Sequence, residues 1–268
     1  MSERVSQAML DAVVDIAVAA GDEIMRIYAT DFSVAEKEDR SPLTEADMAA
    51  HKAIVAGLAA LAPDIPIVSE ESADEVSWEE RRAWSRFWLV DPLDGTKEFI
   101  KRNGEFTVNI ALIEDHHPTL GVVRVPAQGV TYTAAAGIGA FKDAGAGFAP
   151  IAVAKPPGRP MRVAGSRSHG NDATRRFVEN LGQTEMVAIG SSLKFCLVAE
   201  GAVDIYPRFG PTSEWDTGAA QCVVEQAGGQ VTHLDLSPLS YNAKESILNP
   251  FFLVFGDASV DWTQYVDA

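Results

Sequence analysis

Trp88-Leu89-Val90-Asp91-Pro92-Leu93-Asp94-Gly95-Thr96 is the stretch from which the fold and its chemistry are read. Trp88, Leu89 and Val90 are apolar and fit a short buried strand, residues 87–90. Asp91 then falls where that strand leaves its sheet. Pro92 fixes φ and turns the chain. A tight turn brings Asp94 beside Asp91, and two carboxylates that close repel unless a cation lies between them. Gly95 permits close backbone approach, and the amides after it can face an anion. This geometry suits Mg²⁺, a hard ion that takes oxygen ligands and keeps water and phosphate in its shell. Two such ions about 4 Å apart can activate a water and stabilise the leaving oxygen of an in-line displacement. Asp-Pro-x-Asp-Gly is also good turn chemistry, and read alone it serves a turn as well as a metal site.

Working outward, two more acidic features stand in similar places. Glu70-Glu71 follows an apolar strand at 65–69, and Trp215-Asp216 opens a helix at 215–227. Singly, the first suits a solvated loop and the second a helix cap. Thr44 and Asp47 fit an N-cap and its N3 partner at the head of a helix whose stripe is Ile54, Leu58 and Leu61. No His/Cys cluster competes for zinc.

Helical spacing of Leu10, Val13, Val14, Ala17, Ile24 and Ile27 predicts a first helix over 4–29. From 106 to 141 the pattern is short, β-rich and broken by Gly, Pro and His-His-Pro, which predicts an antiparallel meander. Lys155-Pro-Pro-Gly-Arg-Pro160 breaks regular structure and marks a boundary between lobes 1–155 and 156–268. Beyond it, strands are expected at 161–164, 185–189, 203–206, 229–232 and 251–255. Helices are expected at 172–181, 191–200, 215–227 and 259–266. The whole reads as a mixed α/β or α+β protein in two layered lobes.

The 268 residues, 47% of them hydrophobic, suffice for a sizeable core. No apolar run is long enough to span a membrane, and Asp11 and Asp15 in the first helix argue against a signal peptide. Cys196 and Cys222 lack metal or redox spacing and read as reduced core thiols of a cytosolic protein. A net charge of −16 argues against non-specific nucleic-acid binding, which needs a basic surface. It also requires that a polyanionic substrate meet locally supplied positive charge.

The three acidic motifs, taken in order and spacing, resemble the inositol monophosphatase superfamily of lithium-sensitive, magnesium-dependent phosphatases. The resemblance runs from Asp39 to Gly229. Lys97-Glu98-Phe99-Ile100, Asn103 to Val108, Ser166-Arg167-Ser168-His169, Gly190 to Phe195 and Tyr206 to Trp215 are similar to the bacterial 3′(2′),5′-bisphosphate nucleotidases, the CysQ group. The resemblance implies an α+β fold layered αβαβα, with an antiparallel sheet in the N-terminal lobe and a mixed α/β C-terminal lobe. It implies one metal on Glu70, Asp91 and the Leu93 carbonyl, and a second on Asp91, Asp94 and Asp216. A third, looser ion is allowed. Gly95 and Thr96 amides would hold the scissile phosphate. Thr96, oriented by Asp47, and Glu70 would position the attacking water. Glu71 would support Glu70 from behind. His169, Ser191, Lys194 and Arg208 would contact the nucleotide, with Lys194 and Arg208 suited to the phosphate that is retained. The substrate so implied is adenosine 3′,5′-bisphosphate or its sulfated form, and Li⁺ is expected to inhibit. An inositol or sugar phosphate is the alternative substrate, and a non-catalytic Mg²⁺ or Ca²⁺ binding protein the alternative class. The same resemblance suggests a role in sulfur assimilation, leaves room for a homodimer, and allows peripheral contact with the inner face of a membrane.

Overall fold

The computed structural model describes residues 5–30, 42–165 and 171–266. Helix α1 (Gln7–Tyr28) is capped by Ser6, whose hydroxyl accepts from Met9 N at 3.2 Å. Helix α2 (Pro42–Leu61) begins two residues before the expected cap. Proline suits a first helical position because its missing N–H would have had no partner there. Thr44 therefore lies inside the first turn and does not cap it, and Asp47 is not its N3 partner.

The chain then forms β1 (Ile67–Ser69), a 3₁₀ turn (Glu70–Glu75), α3 (Trp78–Arg81), β2 (Arg86–Asp94) and α4 (Thr96–Ile100). The expected meander follows as β3 (Thr107–Glu114), β4 (His117–Val125), β5 (Val130–Ala135), β6 (Gly139–Asp143) and β7 (Ala149–Pro150). These make a seven-stranded sheet in sequence order, antiparallel except for the β1–β2 pair.

The second half supplies β8 (Met161–Gly165), α5 (Asp172–Leu181), β9 (Thr184–Ala188), α6 (Leu193–Ala199), β10 (Ile205–Arg208), a 3₁₀ turn (Glu214–Asp216) and α7 (Gly218–Gln226). It closes with β11 (Gln230–His233), β12 (Phe252–Phe255) and a 3₁₀ turn (Trp262–Tyr265) where a helix over 259–266 was expected. The second sheet runs β11-β12-β10-β8-β9 and is mixed, with β10–β8 and β8–β9 parallel.

Alternation along strands builds the layers. Trp88 and Val90 face α1 and α2 in one core, with Leu10, Ile24, Ile54 and Leu58. Phe87 and Leu89 point the other way, into a core shared with Phe195, Cys196, Val223, Phe252 and Val254. Val163, Ile205, Leu253 and Phe255 form the outer face of the second sheet, under Phe177 and Trp262. Helices, sheet, helices, sheet, helix: the molecule is the expected αβαβα sandwich. Gly121 on β4 lets α7 lie close, since a Cβ there would stand 2.2 Å from the Ala219 carbonyl oxygen. Both cysteines are free and buried.

Candidate active site

Strand β2 does not end at Val90. Asp91 pairs with Asn109 and Asp94 with Thr107, so Pro92 and Leu93 together oppose Val108 alone. The expected tight turn is a bulge within a central strand. A bulge is where a central strand tolerates proline, because a ladder bond is already missing. Leu93 N–H donates to Asp91 Oδ1 at 3.0 Å, which fixes the bulge from inside. Asp91 is 1% exposed, an unusual state for a carboxylate without an ion partner.

Four other carboxylates surround it. Glu70 starts the 3₁₀ turn after β1, and Asp216 ends the 3₁₀ turn before α7. Asp216 does not open the helix itself. It accepts from Ser213 N at 2.9 Å in a capping box, so its structural role as a cap is real and leaves its other oxygen for further use. Burial pushes the Asp91 carboxyl well above the usual range, and Asp94, Glu70, Asp216 and Asp47 add to the shift. Asp216 is pushed up to about 7, by burial first and then by Asp94. Glu70 is raised by burial, then by Glu71 and Asp94. Asp47 is raised to about 8 by burial and by the Glu71 carboxylate beside it, and its Oδ1 is buried without a hydrogen-bond partner.

Each of these groups resists ionisation first because it is buried and then because the others are near. Among the described residues no three His, Cys, Asp or Glu are closed onto one point as a ready-made metal cage. The donor set nonetheless fits a hard divalent cation. The donors are oxygens, carboxylates together with the Leu93 carbonyl, and the mutual repulsion of the carboxylates is the cost that such a cation reverses.

Beside the carboxylates, Gly95 has φ 94° and precedes α4, with Thr96 exposed on its first turn. A cleft joins Asp94, Gly95 and Asp216 to Ser191, Lys194 and Arg208. Lys194 is buried, and its ammonium donates to the carbonyls of Ser191 at 2.6 Å and Ile189 at 3.3 Å. It also lies 5.5 Å from the centre of the Tyr206 ring. Burial lowers its pKa to about 8 against the opposing pull of Asp94. Arg208 donates to the Pro211 carbonyl at 2.7 Å, while its Nε is buried without a partner. His169 and the rest of Ser166-Arg167-Ser168-His169 lie outside the described residues.

A model of the inositol monophosphatase family matches residues 6–255. This chain belongs to the inositol monophosphatase family. Its relatives include the 3′(2′),5′-bisphosphate nucleotidase CysQ of Salmonella typhimurium, 52% identical over 248 residues, 92% of this chain and 99% of that protein. The protein of the same name from Escherichia coli is 51% identical over 248 residues, with the same coverage of both chains. A solved structure of CysQ from Bacteroides thetaiotaomicron, 42% identical, superposes with a TM-score of 0.85 and covers 93% of this chain and 97% of its own.

In this member of the inositol monophosphatase family, residues that were not named as site residues also build the site. Ser192 N donates to Asp94 Oδ2 at 2.6 Å. The Ser192 hydroxyl lies 2.8 Å from Thr107 Oγ1 and donates to Asn109 Oδ1 at 2.8 Å. A signal was present: Thr107 and Asn109 are polar residues in an otherwise apolar strand. Glu214, fully buried, accepts from Asn242 N at 2.7 Å and Lys244 Nζ at 3.1 Å. Arg81 donates to Asn242 Oδ1 at 2.7 Å and completes the network that seats the turn bearing Asp216. Those partners lie too far apart in sequence for any local pattern to join them.

Proposed function

We propose that this chain is a magnesium-dependent 3′(2′),5′-bisphosphate nucleotidase that hydrolyses adenosine 3′,5′-bisphosphate to AMP and inorganic phosphate. The observation that carries the reading is 51–52% identity, over 92% of the chain, to proteins named for that activity. The mutually perturbed carboxylates beside a cleft with a buried lysine support it. The sulfated 3′-phosphoadenylyl sulfate is a second substrate of the same class. The setting is the cytoplasm and the role lies in sulfur assimilation.

Glu70, Asp91 and the Leu93 carbonyl would hold one Mg²⁺, and Asp91, Asp94 and Asp216 a second, with Asp91 shared. When bound, Mg²⁺ supplies Lewis-acid polarisation of the phosphoryl oxygens and of a water. The Gly95 and Thr96 amides donate to the phosphoryl oxygens. The Thr96 hydroxyl and Glu70 orient the water, and the unpartnered Asp47 Oδ1 is the acceptor available to orient that hydroxyl. The water oxygen attacks phosphorus in line with the ribose O3′ and gives up one proton to solvent. The P–O3′ bond breaks, and O3′ takes a proton from solvent. Lys194 and Arg208 hold the retained 5′-phosphate, and Ser191 lines that side of the cleft. His169 is a further nucleotide contact on this reading. Li⁺, competing for a carboxylate site, inhibits.

The test is phosphate release from adenosine 3′,5′-bisphosphate, its sulfated form and inositol monophosphate, each with and without Mg²⁺. Strong preference for inositol monophosphate would overturn the nucleotide assignment. Unchanged turnover of Asp91→Asn would overturn the metal assignment.

A further inference from the structure

The segment carrying the carbonyls that hold Lys194 is itself suspended from the opposite sheet. Gly190 N–H donates to Glu105 Oε2 at 2.8 Å, and two residues on, Ser192 N–H donates to Asp94 Oδ2 at 2.6 Å. Between these hooks Ser191 has φ 46°, a left-handed conformation a serine adopts only when its surroundings impose it. The approach is close. A Cβ on Gly190 would stand 2.3 Å from Glu98 Cγ and 3.1 Å from the Glu105 carbonyl oxygen.

Glu105 is anchored in turn. Its N–H donates to Asn103 Oδ1 at 3.0 Å, and Gln128 Nε2 donates to the Gly104 carbonyl at 3.2 Å. The suspended segment then fixes the lysine. An ammonium has three N–H donors, and the Ile189 and Ser191 carbonyls take two of them. The third remains for an anion. Without the Glu105 hook, the carbonyls that aim Lys194 lose one of their two ties to the phosphate-side motif.

We infer that Glu105 is a positioning residue for substrate selection: it aims Lys194 through Gly190, and so sets the preference for substrates with a second phosphate. The inference rests on the proposed pairing of Lys194 with the retained 5′-phosphate. It concerns a residue on the loop before β3, outside the carboxylate cluster and outside the quoted nucleotide contacts.

The test uses the full chain with Mg²⁺ and two substrates, adenosine 3′,5′-bisphosphate and adenosine 3′-phosphate, which lacks the 5′-phosphate. Glu105→Ala should lower the ratio of their kcat/KM values about tenfold, the scale of one lost hydrogen bond to a charged group. The loss should appear in KM for the bisphosphate. Glu105→Gln, whose amide oxygen still accepts from Gly190, should recover most of the ratio. Glu105→Ala combined with Lys194→Ala should be no worse than Lys194→Ala alone, because both changes act on one interaction. Equal losses on both substrates, or additive losses in the double variant, would overturn the inference. If Lys194→Ala leaves the ratio unchanged, the pairing beneath it fails as well, and the two failures are told apart by that single variant. Should Glu105→Ala melt below the assay temperature, Glu105→Asp withdraws the carboxylate by one methylene and should give the same fall in ratio.

Discussion

At the scale of single residues, Asp91 carries two opposed demands. Its burial and its carboxylate neighbours raise its pKa well above the ordinary range, so the ionised form strains the fold. On the proposed function, the same placement would let it serve two cations. Asp91→Asn should therefore lower turnover more than about a hundredfold, since even residues that only support metal ligands cost ten to a hundred. In chelator it should melt at a higher temperature than the parent chain, because a repelled charge is gone. Kinetics and thermal melts in EDTA check both halves. Thr96→Ala should keep Mg²⁺ binding by calorimetry while losing phosphate release. The residue types were legible in the sequence: Glu70, Asp91, Asp94 and Asp216 stood out by motif. Thr107 and Asn109 showed only as polar residues in a mainly apolar strand, and they and Ser192 take their role from what each touches across the cleft.

At the scale of elements, the site depends on a bulge and a close helix. The bulge places Asp91 and Asp94 on one strand, where a local reading of Asp-Pro-Leu-Asp gives a turn. Both readings use proline's fixed φ. Only the β3 partner strand shows that pairing resumes at Asp94. Helix α7, following Asp216, is seated by Gly121. Gly121→Ala drives a methyl into the Ala219 carbonyl and should cost about 2 kcal/mol or more. A shift of the urea midpoint at unchanged m-value measures that loss. Thr-x-x-Asp matches a capping box and points to a start two residues beyond that of helix α2. Proline at the first helical position offered an equal start signal.

At the scale of the whole molecule, the acidic cluster makes stability depend on pH and on cation. A carboxyl whose folded pKa is raised binds its proton more tightly folded than unfolded. Metal-free protein should therefore lose stability as pH rises from the ordinary carboxylate range, near 3.8, through the folded values of about 7 for Asp216 and about 8 for Asp47. Mg²⁺ should oppose that loss, adding about 2.7 kcal/mol at a hundred times its Kd. Melting curves across pH 5–9, with EDTA or Mg²⁺, would show two converging lines if the sign were wrong. We propose that 1–155 and 156–268 are lobes and not independent folding units. One core takes Leu89 and Ala111 from the first sheet and Tyr206, Val223 and Val254 from the second half. Expressed alone, residues 1–155 should bind a hydrophobic dye and unfold without cooperativity.

The chain by itself determined the long helices and most strands, because period-two and period-3.6 apolar patterns are local properties of sequence; the short α3, α4 and β7 carry too few residues for such a period to show. It also carried the three acidic motifs whose order and spacing resemble the inositol monophosphatase family, to which the chain belongs. Only the tertiary structure decided how those carboxylates face one another, that Asp91 and Asp94 flank a bulge, and that Lys194 is held by a segment hung from Glu105 and Asp94. The suspended segment joins residues 85 and 98 positions apart, the bulge is set by a neighbouring strand, and no local pattern encodes either geometry.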